Sequence, residues 1–201
     1  MDLVAGPQGS GKSTFFPVAD RGGDSFNADD RRRQLNRGSS RKIPPHVRRQ
    51  VVAQYEAFMN EHIERGSSFS IEVTLAKEIT FEQARRARER GIRLQLTYIA
   101  ADVDECIDRV ANRLDRGGHG VSPAILRETY AASMKNLSRA VREFDLVQVY
   151  DNARAAQLDD APQQVRPALV LETQRGMITY VAPQVPQWLR QAFSGGDYDL
   201  G

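Results

Sequence analysis

Apolar residues along this chain fall into short continuous runs separated by longer stretches with helical spacing. The first run, residues 1–5, predicts a buried strand. A glycine-rich turn over 6–11 follows, then a short helix from Lys12 that Pro17 must end. Residues 25–27 predict a second strand, trailed by the polar run Asp29-Asp30-Arg31-Arg32-Arg33. Pro44-Pro45 open a long helix to about Arg65. In it Val47, Val51, Tyr55, Phe58, Met59 and His62 recur at helical spacing, and Gly66 is the stop. Strands are predicted at 68–73, 94–99 and 145–150, and helices at 76–90, 102–116 and 123–142. The stretch Gly117-Gly118-His119-Gly120 breaks the last two helices apart.

Strands alternating with helices through residue 150 imply an α/β fold with a parallel sheet covered on both faces. The polar connection 153–167 leads to two further strands, 168–173 and 177–181. Gln174-Arg175-Gly176 joins them as a β-hairpin. Residues 186–193 carry the one tryptophan, Trp188, as a packing anchor, and 194–201 are expected to fray. The expected division is a core over 1–152 and a C-terminal appendage over 153–201 that is not an independent domain.

Composition narrows the class. In 201 residues, 40% are hydrophobic and 27% charged, which is a globular profile. No apolar run reaches membrane-span length, and residues 1–6 show no secretory leader, so a cytoplasmic protein is expected. Cys106 is the sole cysteine and falls on an apolar helical face. No internal disulfide or CxxC metal site can form, and three dispersed histidines argue against a zinc enzyme. The formal net charge of +2 is too balanced to indicate nucleic acid or membrane partners. Only four of the 28 basic residues are lysines. That arginine excess suits phosphate binding, but genomic base composition is the favoured explanation.

The chemistry begins at Gly6-Pro7-Gln8-Gly9-Ser10-Gly11-Lys12-Ser13-Thr14, which fits GxxxxGK[ST]. Gly6, Gly9 and Gly11 let backbone N–H groups, including those of Ser10 and Thr14, turn onto phosphate oxygens without Cβ clashes. Lys12 then reaches the outer phosphates of ATP, and the Ser13 hydroxyl ligates Mg²⁺. A kinase also needs a base beside the acceptor hydroxyl. Asp29, in Phe26-Asn27-Ala28-Asp29-Asp30, follows the second strand at the edge where α/β sheets bind ligands. Asp30 is its nearest rival, and helix capping is the competing role. Glu72 interrupts an apolar strand near its C-terminal end, which requires a partner or solvent. Arg109, Arg113 and Arg116 share one helical face just before the glycine break, the layout of an arginine lid; a solvated basic face is the bland alternative. His119 lies within that break.

Taken in order, five segments resemble the zeta-toxin family of P-loop kinases over about residues 3–152. They are Gly6–Thr14, Asn27-Ala28-Asp29-Asp30, Ile71-Glu72-Val73-Thr74-Leu75, the stretch from Arg113 through Gly117-Gly118-His119-Gly120-Val121-Ser122, and Val149-Tyr150-Asp151-Asn152. The resemblance implies a P-loop NTPase fold with a five-stranded parallel sheet, and transfer of the ATP γ-phosphate to a hydroxyl. Its best-known acceptor is the sugar 3′-hydroxyl of UDP-N-acetylglucosamine. Lys12 would hold phosphates, Asp29 would be the base, and Glu72, Thr74, Arg113 and His119 would contact substrate. Arg109 and Arg116 would stabilise charge on the transferred group. Some members pair with a small antitoxin protein. Val73 departs from the family pattern, where many relatives carry a second threonine, and the tail after Ala153 lies outside the match. The alternatives are a kinase for another nucleotide-like, nucleoside or antibiotic acceptor, and an ATP-binding switch or ATPase module with a protein-binding tail.

Overall fold

The computed structural model describes residues 1–115, 120–153, 166–194 and 198. Seven strands form one sheet in the order β2-β3-β1-β4-β5-β6-β7. The central strand is β1 (Asp2–Ala5), and β3 (Phe69–Val73) and β4 (Gln95–Ala100) flank it in parallel. Outside these lie β2 (Asp24–Phe26), parallel to β3, and β5 (Leu146–Asp151), parallel to β4. The expected count of five strands is corrected here to seven, because the C-terminal hairpin joins the sheet. β6 (Ala168–Gln174) pairs antiparallel with β5, and β7 (Met177–Val181) with β6. A five-stranded sheet would leave the N–H and C=O groups of β5 bare along one side. The hairpin covers that edge and moves the open edge outward to β7. Its turn is two residues long, Arg175 and Gly176, with φ of 49° and 78°, and Gln174 belongs to the strand. Positive φ at both positions matches the twist of the flanking strands.

The helices follow the predicted periodicities with one addition. α1 (Lys12–Phe15) is a single turn ahead of Pro17, and a 3-10 turn spans Val18–Arg21. α2 (Ala28–Leu35) buries no residue and so shows no apolar period; only the possible capping role of the aspartates pointed to a helix start here. Its start is set by Asn27, whose side-chain oxygen accepts the N–H groups of Asp29 and Asp30 at 2.9 and 3.3 Å. α3 (Pro45–Arg65) ends on left-handed Gly66, as the pattern required. α4 (Glu78–Glu89), α5 (Val103–Asp115), α6 (Pro123–Glu143) and α7 (Gln187–Phe193) complete the set.

One apolar core runs through both halves of the chain. Leu3, Ile71 and Leu96 of the sheet, Met59 and Ile63 of α3, Phe81 of α4 and Leu137 of α6 share it with Trp188, Leu189 and Phe193 of α7. Cys106 is buried with Ala101, Val110 and Leu126 in a smaller cluster, as its helical position implied. Burial raises its thiol to about 11, so it stays protonated and inert. Among the described residues no helix is long and apolar enough to cross a membrane.

Candidate active site

The carboxyl ends of β1, β2 and β3 converge on the loop between β1 and α1. Backbone conformation builds that loop. Gly6 and Gly9 have φ of 142° and 81°, and a Cβ on them would lie 2.0 Å from the Ile99 carbonyl oxygen and 2.3 Å from that of Cys106. The loop therefore lies directly against the end of β4 and the start of α5, and only glycine permits both the conformation and the approach. α1 is too short for a large macrodipole, so the loop's own N–H groups are the main anion-binding feature.

Lys12 is buried, and its ammonium donates to the carbonyl oxygens of Gly6 and Pro7, each at 2.8 Å. It thus curls over the loop that it must serve. Burial lowers its pKa; the negative charges of Glu72 and Asp29 oppose that, and Arg113 adds to it. Those causes tie Lys12, Glu72, Asp29 and Arg113 into one electrostatic neighbourhood. Ser10 is fully buried and its hydroxyl oxygen has no hydrogen-bond partner.

Glu72 sits next to the C-terminal residue of β3, opposite Val4 of β1. Its Oε2 accepts the Ser13 hydroxyl at 2.9 Å and the Asn27 side-chain N–H at 3.0 Å. The charge that broke the strand's apolar pattern therefore has two donors. Burial still pushes its carboxyl up, with Lys12 and the Ser13 hydroxyl opposing. Thr74 is the first residue after β3, its carbonyl held by the Ser133 hydroxyl at 2.6 Å. The Asn136 side chain holds the next carbonyl, of Leu75, at 2.9 Å, and Leu75 has a φ of 60°. The buried Tyr98 hydroxyl shares a 2.8 Å hydrogen bond with Ser133, so β4 and α6 together fix the turn that carries Thr74.

Asp29 and Asp30 occupy the first turn of α2 and face different clefts. Asp29 pairs with Arg32 at 2.5 Å and lines a cleft of about 670 Å³. Asp30 pairs with Arg33 and lines another of about 790 Å³, together with Ser13 and Asn27. Arg109 does not hang free. Its guanidinium donates to the Gly9 carbonyl at 3.4 Å, to the Asn152 carbonyl at 2.5 Å and to Glu105 at 2.9 Å. The Asn152 side chain in turn donates to the Ser10 carbonyl at 2.8 Å. Arg109 and Asn152 thus clasp the phosphate loop to α5 and to the end of β5. Arg116 and His119 lie outside the described residues.

The structure brings Lys12, Ser13, Asp29 and Glu72 together at one edge of the sheet, with Thr74 beside them. Sequence reasoning missed the parts played by Asn27, Asn152, Ser133 and Asn136. Asn27 carried a signal, an Asx residue directly before a polar run that could start a helix. Asn152 was marked only as the end of the last family-like segment, and Ser133 and Asn136 carried no signal; the partners of all three lie 59 to 142 residues away.

The sequence profile described as Zeta toxin matches residues 1–163. None of the curated proteins compared with the chain matches it. Solved structures do. The crystal structure of AvrRxo1-ORF1 with AvrRxo1-ORF2 and sulphate ions superimposes with a TM-score of 0.63 at 14% identity, covering 89% of this chain and 59% of that one. The same pair with ATP gives 0.62 at 13% identity, with the same coverage. A structure from the PezAT chromosomal toxin-antitoxin system of Streptococcus pneumoniae gives 0.57 at 15% identity, covering 76% of this chain and 68% of that one. At these identities the structures share the fold, and this chain spans 59% of the length of the matched chain in the AvrRxo1-ORF1:AvrRxo1-ORF2 structure. With its profile matched over 163 of 201 residues around a complete phosphate loop, the chain belongs to the zeta-toxin family of P-loop kinases.

Proposed function

We propose that this protein is an ATP-dependent phosphotransferase that moves the γ-phosphate to an alcohol, and that the alcohol is the sugar 3′-hydroxyl of UDP-N-acetylglucosamine. The observation that carries the reading is the cradle of Gly6–Lys12 beside a carboxylate, Asp29, that lies within electrostatic reach of the Lys12 ammonium. In this reading the ATP phosphates lie on the loop and draw Lys12 off the Gly6 and Pro7 carbonyls. The acceptor oxygen attacks the γ-phosphorus, its proton passes to Asp29, the bond to the β,γ-bridging oxygen breaks, and ADP leaves. Arg113, which shares the Lys12 neighbourhood, carries the stabilising positive charge. Arg109 acts by clasping the loop in position.

The donor set fits Mg²⁺. The Ser13 hydroxyl and Glu72 carboxylate are adjacent, and among the described residues no cluster of three or more metal-ligating side chains exists to hold a cation without phosphate oxygens. Mg²⁺ is ordinarily held that way, by one or two protein oxygens, phosphate and water. Bound there, it would supply charge neutralisation on the phosphates. Glu72 then serves the metal side of the site, and Thr74 remains the substrate contact on β3.

The two-protein complexes of AvrRxo1-ORF1 and the PezAT toxin-antitoxin system support a small protein partner for this chain as well. The test of the main reading is incubation with γ-labelled ATP and Mg²⁺ against a panel of UDP-sugars, nucleosides, NAD and aminoglycosides. Label on UDP-N-acetylglucosamine, located by NMR at the 3′ position, is the expected result. Label on another acceptor would replace the substrate, and ATP binding without a phosphorylated small molecule would sink the kinase reading in favour of a nucleotide switch.

A further inference from the structure

A loop that turns its N–H groups inward onto phosphate turns carbonyl groups outward, and those carbonyls need partners of their own. Lys12 takes the Gly6 and Pro7 oxygens, and gives them up in the proposed ATP complex. The Gly9 and Ser10 oxygens are held from outside the loop, by the Arg109 guanidinium at 3.4 Å and the Asn152 side-chain amide at 2.8 Å. These two contacts do not depend on where Lys12 points. Both meet at Asn152. Its carbonyl accepts the same Arg109 guanidinium at 2.5 Å, and its N–H donates to the Ala100 carbonyl at 2.7 Å. Its side-chain nitrogen lies 2.4 Å from where a Gly11 Cβ would stand. The orientation of this one residue therefore sets how the loop is held.

Asn152 follows the last residue of β5, Asp151, which pairs with Ala100 on one side and Ala168 on the other. Beyond that pairing the Asp151 side chain fixes the chain. Its Oδ1 accepts the Ala153 N–H at 3.2 Å, a turn that closes around Asn152. The same oxygen accepts the Trp188 indole N–H at 3.0 Å. Trp188 is buried in α7 with Leu189 and Phe193, so this donor is rigid and comes from the C-terminal segment. Burial pushes the Asp151 carboxyl up, and the Trp188 N–H and then the Ala153 N–H oppose that. A half-buried carboxylate deprived of the indole turns toward water and takes the turn with it. Packing alone asks only for an aromatic ring, and phenylalanine would supply one without an N–H to satisfy.

We propose that the C-terminal segment sets the ATP affinity of the phosphate loop, with Trp188 and Asp151 as positioning residues. The indole N–H fixes the Asp151 turn, the turn orients Asn152, and Asn152 with Arg109 holds the Ser10 and Gly9 carbonyls outward. This role rests on the reading of the loop as the ATP site and on no particular acceptor.

The test uses the full chain and measures ATP binding apart from transfer, by titration with a fluorescent ATP analogue and Mg²⁺. Trp188→Phe keeps a buried ring and removes the donor, and Asp151→Ala removes the acceptor. Each should weaken the analogue by about three- to tenfold. The double variant should bind no more weakly than Asp151→Ala alone, because both changes break one link. Asp151→Asn keeps an oxygen for both donors and should recover most of the loss. Asn152→Ala should weaken binding at least as much as Trp188→Phe. Hydrogen exchange of the amides over 6–12 should be faster in Trp188→Phe than in wild type. A purely structural Trp188 predicts a lower Tm with ATP affinity and loop exchange unchanged, and that result would overturn the proposal. Additive losses in the double variant, or full affinity in Asn152→Ala, would also overturn it. Binding that follows these rules with no acceptor phosphorylated would sink the kinase reading and leave the positioning role standing. A wild-type chain that does not bind the analogue would remove both.

Discussion

At the residue scale, the candidate site holds two carboxylates whose surroundings differ. Asp29 sits on a solvated helix start with Arg32 beside it, whereas Glu72 is half-buried at a strand end. Loss of a positioned base lowers turnover by about 10²–10⁴-fold. Asp29→Asn should do so with little change in ATP affinity, while Asp30→Asn should stay within a few-fold of wild type. Steady-state kinetics of the pair distinguish the two aspartates. Glu72 makes a prediction about pH. Its carboxyl lies above the ordinary value of about 4.3, chiefly from burial. Between the unfolded and the raised folded pKa, the native state binds more protons than the unfolded chain. Stability therefore falls as pH rises through that window, and it remains lower above it. Glu72→Gln removes the penalty. Its Tm should exceed that of wild type at pH 7, and the gap should close near pH 4, while transfer activity drops. Melting curves at the two pH values check the sign.

At the scale of single elements, the phosphate loop and α2 show opposite degrees of legibility. The loop was readable from nine consecutive residues, because its conformation is set by where glycine is compulsory. The structure adds what those glycines press against, the Ile99 and Cys106 carbonyls. Gly9→Ala would place a methyl group 2.3 Å from the Cys106 oxygen in a left-handed conformation. Left-handed strain alone is about 1–2 kcal/mol, and relieving the clash must shift the loop from α5. ATP affinity should fall at least tenfold, or about 1.4 kcal/mol, as a titration against a fluorescent ATP analogue would show. α2 was readable only as a possible capping site at the aspartates, since a helix with no buried face has no hydrophobic period. It persists because Asn27 caps it, and the same side chain donates to Glu72. That double use ties the helix that carries Asp29 to the strand end beside the phosphate loop.

Across the whole molecule, the C-terminal residues belong to the same core as the rest. Trp188 is buried, and its indole N–H donates to the Asp151 carboxylate at 3.0 Å, at the end of β5. Removing a buried tryptophan costs about 3–5 kcal/mol. Trp188→Ala should lower Tm on the order of 10 °C for a chain of this size, with unfolding still a single transition by calorimetry. Two separate transitions would show that the tail is an independent unit. The Arg139 guanidinium provides a second long-range tie, lying 4.0 Å over the Phe81 ring and pairing with Glu78 and Glu143.

The amino-acid sequence by itself determined the α/β alternation, the phosphate loop, the carboxylates and the hairpin, because each is written in a period or a motif a few residues long. Tertiary structure alone decided that the hairpin completes the central sheet, that Arg109 clasps the loop, and that Asp29 and Asp30 open to different clefts. Those outcomes depend on hydrogen bonds and charges between residues far apart in the chain, such as Arg109 with Gly9 and Arg41 with Leu114. No local pattern records which distant groups the sheet will bring within reach.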